Sequence, residues 1–583
     1  MRNITLSAVQ HQPWLEYRHT QPDGRVCIRI RTAVGEWDQV QLCHKRMYSP
    51  THGITSCEGG ITMRPMWQDE LHQWYEVAFM PEDRRLHYLF LFCSDGCELY
   101  LDQDGWHTPA QMADRFPVWF PYAHAWTPDQ KPDWARGVAG YQIFPDRFRR
   151  SGPAQADVEP WGSKRVENKY RFGGNLAGMF EAVPYLKDLG VGLVYMTPLF
   201  VSDTSHRYNT FDYFTIDPLM GTTQDLKRLT DALHQAGIRI VLDGVFNHCG
   251  TKFAPFADAK AKGAASTYAN WFFFDPRYDC GYATFGNEAY MPKLNLADPQ
   301  AAEYFLEVGR YWLRTCGVDG WRLDVSPEVW PDFWRQFRKA VLAENPEAIL
   351  VAECWDDSRE WLSVGDMFDS TMHYVLSRAI WGFFAEDTLD LRTFDARVNR
   401  TMALYPHATQ EVLWNFLGTH DTKRFLTRAG GELRRLRQAA LFQMTAPGAP
   451  IVYYGDELGM EGENDPFCRG SMCWEQIEGN PVRAWFKKLI ALRNGSPALR
   501  YGTYRTWHVG SNGVYAYLRE DTGQNALVIL NTADVAVEAM LPLPVGLANQ
   551  AYATDALSGV AHATQGGAVL LRLPPREGAV FFY

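Results

Sequence analysis

Arg322 and Asp324 stand two residues apart in Gly317-Val318-Asp319-Gly320-Trp321-Arg322-Leu323-Asp324-Val325, an apolar run that reads as a buried strand. Side chains alternate across a strand, so these two share one face, while Trp321, Leu323 and Val325 take the other. A cation beside a carboxylate at a strand's C-terminal end suits a charged catalytic group, although a lone Arg–Asp pair would also serve to fix register. Three more apolar runs finish in the same way. Ile238 to His248 carries Asp243, Asn247 and His248; Ala348 to Trp355 carries Glu353; Glu411 to Asp421 ends in His420 and Asp421. A buried acid without function costs on the order of several kcal/mol to desolvate, so four independent structural pairs are a poor explanation.

Strand ends can meet only if the strands run parallel and close on themselves, and the remaining text supplies such a frame. Gly140 to Phe144 and Val191 to Met196 read as strands, and later ones end at Glu353, near His373, at Asp421 and at Gly455-Asp456. Between them, Thr222 to Gly237 is helical, with Leu226, Leu229 and Leu233 on one face and Gly237 as the stop. A second helix, about Ala301 to Cys316, aligns Phe305, Val308 and Trp312 and leads into the Asp324 strand. Eight strands alternating with helices predict a (β/α)8 barrel, in which the inner face at the strands' C-terminal ends is the floor of the site.

The fold class expected is therefore multidomain α/β: a TIM barrel over residues 126–500, with other domains around it. Residues 1–125 alternate in short runs such as Arg25-Val26-Cys27-Ile28-Arg29-Ile30-Arg31, separated by turns, and predict an N-terminal β-sandwich. A Pro- and Trp-rich joint, Trp126 to Trp134, follows. Residues 249–298, with Trp271-Phe272-Phe273-Phe274, are too long for a loop and predict a small inserted domain after the third barrel strand. Residues 501–583 predict a C-terminal antiparallel β-sandwich.

Composition narrows the partners. The formal net charge of -11 offers no basic patch for nucleic acid, and the absence of a long apolar run argues against a membrane span. Eleven scattered cysteines and an N-terminus without a signal-type apolar stretch predict reduced thiols and a cytoplasmic protein. Aromatics reach 14%, including 21 Trp; a large core uses most of them, and flat sugar faces stack well on the remainder.

In order along the chain, Asp243-Gly244-Val245-Phe246-Asn247-His248, Gly320-Trp321-Arg322-Leu323-Asp324, the Glu353 strand and Thr419-His420-Asp421 resemble the four signature regions of the α-amylase family of glycoside hydrolases. Met291-Pro292-Lys293-Leu294-Asn295 resembles a further motif of its neopullulanase, cyclomaltodextrinase and maltogenic amylase subgroup, as do Tyr141 to Pro145, His206-Arg207-Tyr208 and Asp465 to Arg469. The resemblance implies a retaining mechanism with Asp324 as nucleophile, Glu353 as acid and then base, and Asp421 as a third carboxylate that stabilises the transition state. Arg322 is expected to keep Asp324 ionised. The resemblance further implies sugar contacts from His248 and His420, stacking by Tyr208 and by Trp355 on the leaving side, and a grip on a more distant glucose by Asp465 and Arg469. Asp243 and Asn247 look like supports.

Two departures stand out. Calcium-binding relatives carry acidic loops where this chain reads Arg149-Arg150-Ser151-Gly152-Pro153 and Phe172-Gly173-Gly174-Asn175, so no metal or other cofactor is expected to be required. Ser326-Pro327 replaces the usual Ala-Asn after the nucleophile, which is expected to alter the side where an acceptor approaches. The reading is a hydrolase of α-1,4-glucosidic bonds in cyclodextrins, maltooligosaccharides and pullulan, with some transglycosylation and a homodimeric assembly. The alternative is a transglycosylase or a hydrolase devoted to an unusual cyclic or branched α-glucan. A non-catalytic binding protein on the same barrel would have lost carboxylates that this chain keeps.

Overall fold

The computed structural model describes residues 4–583 except 15, 49–53, 55–59, 84, 113–116, 124–130, 154–156 and 363. Most of the expected joint, Trp126 to Gln130, lies outside the described residues. Eight parallel strands form the centre: β1 (Gly140–Ile143), β2 (Leu193–Met196), β3 (Arg239–Gly244), β4 (Gly320–Leu323), β5 (Ile349–Ala352), β6 (Ser370–Thr371), β7 (Trp414–Phe416) and β8 (Ala449–Tyr453). Their order is 6-5-4-3-2-1-8-7, and a parallel bridge from Met372 to Trp414 closes the ring. The TIM barrel read from the strand–helix alternation is thus the observed fold.

Local chemistry explains the pieces that position the site. Thr222 caps the helix Thr223–Gln235 in a capping box with Asp225, and Leu226, Leu229 and Leu233 are buried against the barrel. The helix Pro299–Cys316 starts on Asp298, whose carboxylate accepts from Gln300 and Ala301 N–H, and stops at Gly317 with φ of 71°. That stop delivers the chain into β4.

The expected Glu411 to Asp421 strand is shorter than its apolar content suggested. Residues His407–Val412 are helical and only Trp414–Phe416 pair in the sheet. Glu411 is held instead by His407, 3.2 Å away on the same helix, and by Arg136, so its end of the run is fixed by side-chain pairing rather than by a ladder.

Two antiparallel sheets precede the barrel, burying Val26, Ile28, Ile30, Val40, Leu42, Phe90 and Phe92 between them. The opposite face of the first sheet docks on the barrel. Arg29, paired with Glu76 at 2.6 Å, donates to the carbonyl of Tyr405 at 2.9 Å. Two four-stranded antiparallel sheets follow the barrel, around a core that includes Val514, Leu527, Ile529, Leu541 and Phe581. The segment between β3 and the Pro299 helix holds the short helix Ala254–Lys262 and an aromatic cluster of Phe256, Phe272, Phe274 and Tyr282, linked by isolated bridges rather than a regular sheet.

Cys43 is disulfide-bonded, which corrects the expectation of reduced thiols throughout. Among the described residues the eight cysteines from Cys93 to Cys473 are free thiols, and no helix is long and apolar enough to cross a membrane.

Candidate active site

Above the C-terminal ends of the strands lies a cavity of about 830 Å³ lined by Tyr208, His248, Asp324, Glu353, Trp355, Asp421, Asp465 and Arg469, with Asn168, Phe285 and Pro327 among its other walls. Its floor is organised by Arg322, which is fully buried on β4. Nη1 donates to Asp324 Oδ1 at 2.8 Å and to both oxygens of Asp243 at 3.0 Å. Nη2 approaches Glu353 Oε2 to 2.9 Å without hydrogen-bond alignment. A single guanidinium therefore faces three carboxyl groups from β3, β4 and β5.

This sharing corrects one expectation. Arg322 does favour the ionised form of Asp324, but burial, and then the adjacent Glu353 carboxyl, push Asp324 well above the usual carboxylate range. With one cation among three acids in a dry floor, the second carboxyl outweighs the arginine. Asp243 also moves up, to about 6, chiefly through burial; Arg322 and the hydroxyls of Tyr195 and Tyr208, at 2.5 Å and 2.9 Å, oppose the rise. Asp243 therefore ties Arg322 to the hydroxyls of Tyr195 and Tyr208 beneath the cavity.

Glu353 is oriented by donors that no sequence pattern announced. The backbone N–H of Val325 donates to Oε2 at 2.9 Å, and Trp355 Nε1 donates to Oε1 at 3.1 Å. Val325 reaches that position with φ of 46° and ψ of 44°, a left-handed conformation that is strained for a β-branched residue by about 1–3 kcal/mol. Ser326, fully buried, takes no part in the cavity wall. Its hydroxyl donates to Leu323 carbonyl at 2.6 Å and accepts from Glu353 N–H at 3.2 Å, bracing β4 against β5. Of the unusual Ser326-Pro327 pair only Pro327 borders the cavity.

The two histidines differ. His248 lines the cavity, lies flat on Phe285 with centroids 4.8 Å apart, and leaves Nε2 buried without a partner. Burial lowers its pKa to about 3, so it is a neutral ring with a polar atom to offer. His420 stands behind the wall. Its Nδ1 faces the amide Nε2 of Gln142 at 2.7 Å, and its Nε2 faces Tyr208 Oη at 2.6 Å and Asp421 Oδ2 at 3.1 Å. Burial, followed by Arg469, holds it far below the usual range. An amide donor at Nδ1 puts the proton on Nε2, whence it reaches the Tyr208 oxygen, and Tyr208 in turn donates to Asp243. His420 thus orients Tyr208 and Asp421.

Arg469 is likewise occupied. It donates to Asn168 Oδ1 at 2.9 Å, Asp421 Oδ1 at 3.0 Å, Asp465 Oδ2 at 3.3 Å and His420 carbonyl at 2.8 Å. Arg469 thus joins Asp465 to Asp421 and holds Asp421 at the shorter distance. Trp355 stacks one face on Tyr374, 3.8 Å away, and is 41% exposed, which leaves the ring available to a ligand. Asn168 and Phe285 come from irregular segments whose spacing carries no signal of their place in the site.

The chain matches three families end to end: alpha amylase, N-terminal ig-like domain over residues 4–124, alpha amylase, catalytic domain over 142–483, and maltogenic amylase, C-terminal domain over 504–580. It is 36% identical to a cyclomaltodextrinase of Geobacillus thermopakistaniensis, covering 97% of each chain. It is 35% identical to neopullulanase 2 of Thermoactinomyces vulgaris, over 99% of this chain and 100% of that one. A solved cyclomaltodextrinase superposes with a TM-score of 0.90 at 34% identity, over 99% of this chain and 100% of the other. Four ordered motifs, a barrel that gathers three of their acids on one arginine, and likeness along the whole length lead to one conclusion: the chain belongs to the α-amylase family.

Proposed function

We propose that this protein hydrolyses α-1,4-glucosidic bonds in cyclodextrins, maltooligosaccharides and pullulan by double displacement, with some transfer to sugar acceptors. The observation that carries the reading is the placing of Asp324 and Glu353 against one guanidinium on neighbouring strands. A retaining glycosidase needs two such carboxyls, one ionised and one protonated. When Glu353 carries the proton, repulsion of Asp324 disappears and Arg322 favours its ionised form. Asp324 then attacks the anomeric carbon, and the Glu353 proton passes to the leaving oxygen. In the second step Glu353 takes a proton from water, which displaces Asp324. Asp421, fixed by Arg469 and His420, supplies negative charge to the oxocarbenium-like transition state. His248 Nε2 and the open face of Trp355 are the sugar contacts. The names of the cyclomaltodextrinase and neopullulanase relatives support this substrate class. Product analysis on α-, β- and γ-cyclodextrin, maltotriose, pullulan and soluble starch tests it; activity confined to soluble starch would refute it.

No metal takes part in this scheme. The acid nearest the first strand's end, Asp146, already accepts from Arg147 Nε at 2.6 Å and from the N–H groups of Phe172 and Gly173 at 3.0 and 3.1 Å, which leaves it poorly disposed to a calcium ion wanting several charged oxygens. Full activity is expected after exhaustive EDTA treatment. Loss of activity that calcium restores would contradict this.

The N-terminal domain is proposed to join two chains, with the domain of one narrowing the cleft of the other. Its exposed aromatics, Trp14 at 55%, Trp119 at 51% and Tyr122 at 44%, offer apolar surface for such a contact. Light scattering at micromolar concentration is expected to give a dimer. Removal of residues up to 122 is expected to give a monomer with a higher ratio of starch to cyclodextrin activity. A monomeric full-length chain would overturn the assembly.

A further inference from the structure

A second cavity, of about 510 Å³, lies between the barrel and the C-terminal domain, within the size range of small-molecule sites. Arg434, Arg437 and Gln438 reach it from the helix Leu433–Thr445, Trp485 and Lys488 from the helix Pro481–Asn494, and Arg572 from the strand Ala568–Leu573. We propose that this cavity binds a hydroxyl-bearing anion, of which a phosphorylated sugar is the fitting chemical class.

Charge is the first reason. The protein carries a formal net charge of -11, yet cations crowd this one wall. Arg434, Arg437 and Arg572 make no ion pair with a carboxylate among the described residues, and the Lys488 ammonium donates to the Leu557 carbonyl. Of the acids at the cavity, Glu577 is a single exposed carboxylate against Arg434, Arg437, Arg572 and Lys488, so the lining keeps a positive excess. Asp555 accepts from the N–H groups of Leu557, Ser558 and Val580 and from the Ser558 hydroxyl, so its oxygens are used locally. Arg576 is already matched by Asp534 in a two-pronged pair at 2.7 and 2.8 Å. Like charges held together repel unless an anion joins them, and planar guanidiniums suit the paired oxygens of a phosphate.

Gln438 supplies the second reason and narrows the ligand. It is 1% exposed, and its Nε2 donates to the Asn531 carbonyl at 2.7 Å, while Oε1 is buried without a donor. A buried acceptor left unpaired is costly. A fully ionised phosphate has no proton to give it; a sugar hydroxyl has. Trp485 is fixed at the same wall, Nε1 donating to the Arg437 carbonyl at 2.9 Å with the Arg437 guanidinium 4.7 Å over the ring, so an aromatic edge or face for a pyranose stands beside the cations. This site is independent of the hydrolytic reading and shares no residue with the first cavity.

Calorimetric titration of the full chain with glucose 6-phosphate, inorganic phosphate and glucose tests the proposal. Glucose 6-phosphate is expected to bind saturably with a Kd below about 1 mM, and each of the other two at least about tenfold more weakly. The double variant Arg437→Gln/Arg572→Gln, altered only at exposed side chains, is expected to lose at least about tenfold in that affinity while keeping wild-type hydrolysis. Asp324→Asn is expected to bind glucose 6-phosphate as the wild type does. Absence of saturable binding, binding that the arginine variant leaves unchanged, or glucose binding as tightly as its phosphate would each overturn it.

Discussion

Asp324→Asn and Glu353→Gln, made separately, are each expected to lower kcat on maltotriose and β-cyclodextrin by about four orders of magnitude while leaving a folded protein. An amide at position 324 cannot form the glycosyl ester, and an amide at position 353 has no acidic proton to give the leaving oxygen. Retention of more than about a tenth of the wild-type rate on every substrate by either variant would refute the assignment. Asp324→Asn carries a second expectation whose sign follows from its surroundings. Burial and Glu353 raise the pKa of Asp324, so the folded protein binds this proton more tightly than the unfolded chain does. Its contribution to stability is then full below the unfolded carboxylate range and is lost as pH rises through the raised folded value. Asparagine removes that loss. The variant should melt above the wild type near pH 7, and the gap should close toward about pH 4. Calorimetry across that range decides it; a variant less stable than wild type at every pH would mean that the contact with Arg322 outweighs the cost of the buried charge.

Arg322→Lys is the second large effect. An ammonium keeps the charge but loses the fork, and one compact donor cannot serve Asp243, Asp324 and Glu353 from positions 2.8 to 3.0 Å away on three strands. Losing two charge-assisted contacts at about 1.5–3 kcal/mol each amounts to roughly 3–6 kcal/mol, divided between folding and the transition state. We expect kcat to fall by about two to four orders of magnitude and Tm to drop, with a larger change in kcat than in KM. The stability part has no solvent discount, because Arg322 is fully buried. A lysine variant with near-normal kcat would show that Arg322 only fills space in the barrel floor.

The frame of the site was legible before any coordinates. Period-two and period-3.6 patterns gave the barrel and both β-domains, because burial of one face is a local constraint written at each position. Asp324 and Glu353 could be placed at adjacent strand ends because each terminates an apolar run. Motif resemblance went further and put Asp421, Tyr208, Arg469 and Trp355 in the same cavity, which spacing alone could not do.

Other features depended on contacts between segments far apart in the chain. The Glu411 run is apolar enough for a strand, yet its first residues finish a helix because His407 and Arg136 hold Glu411. His420 carries the motif, but the tautomer it adopts is set by Gln142, 278 positions away. Ser326, read as part of the acceptor side, is a brace between β4 and β5.

The residue types at the strand ends therefore determined which chemistry was available: carboxyls, one arginine and neutral imidazoles at the floor of a parallel barrel. The tertiary structure decided how they divide the work. One guanidinium is shared by three acids, Val325 is held in a left-handed turn to orient Glu353, and Arg469 is committed to Asp421. Side-chain periodicity is a property of neighbouring residues, whereas the balance of charge in a buried site is a sum over groups that only the closed barrel brings within about 3 Å of one another.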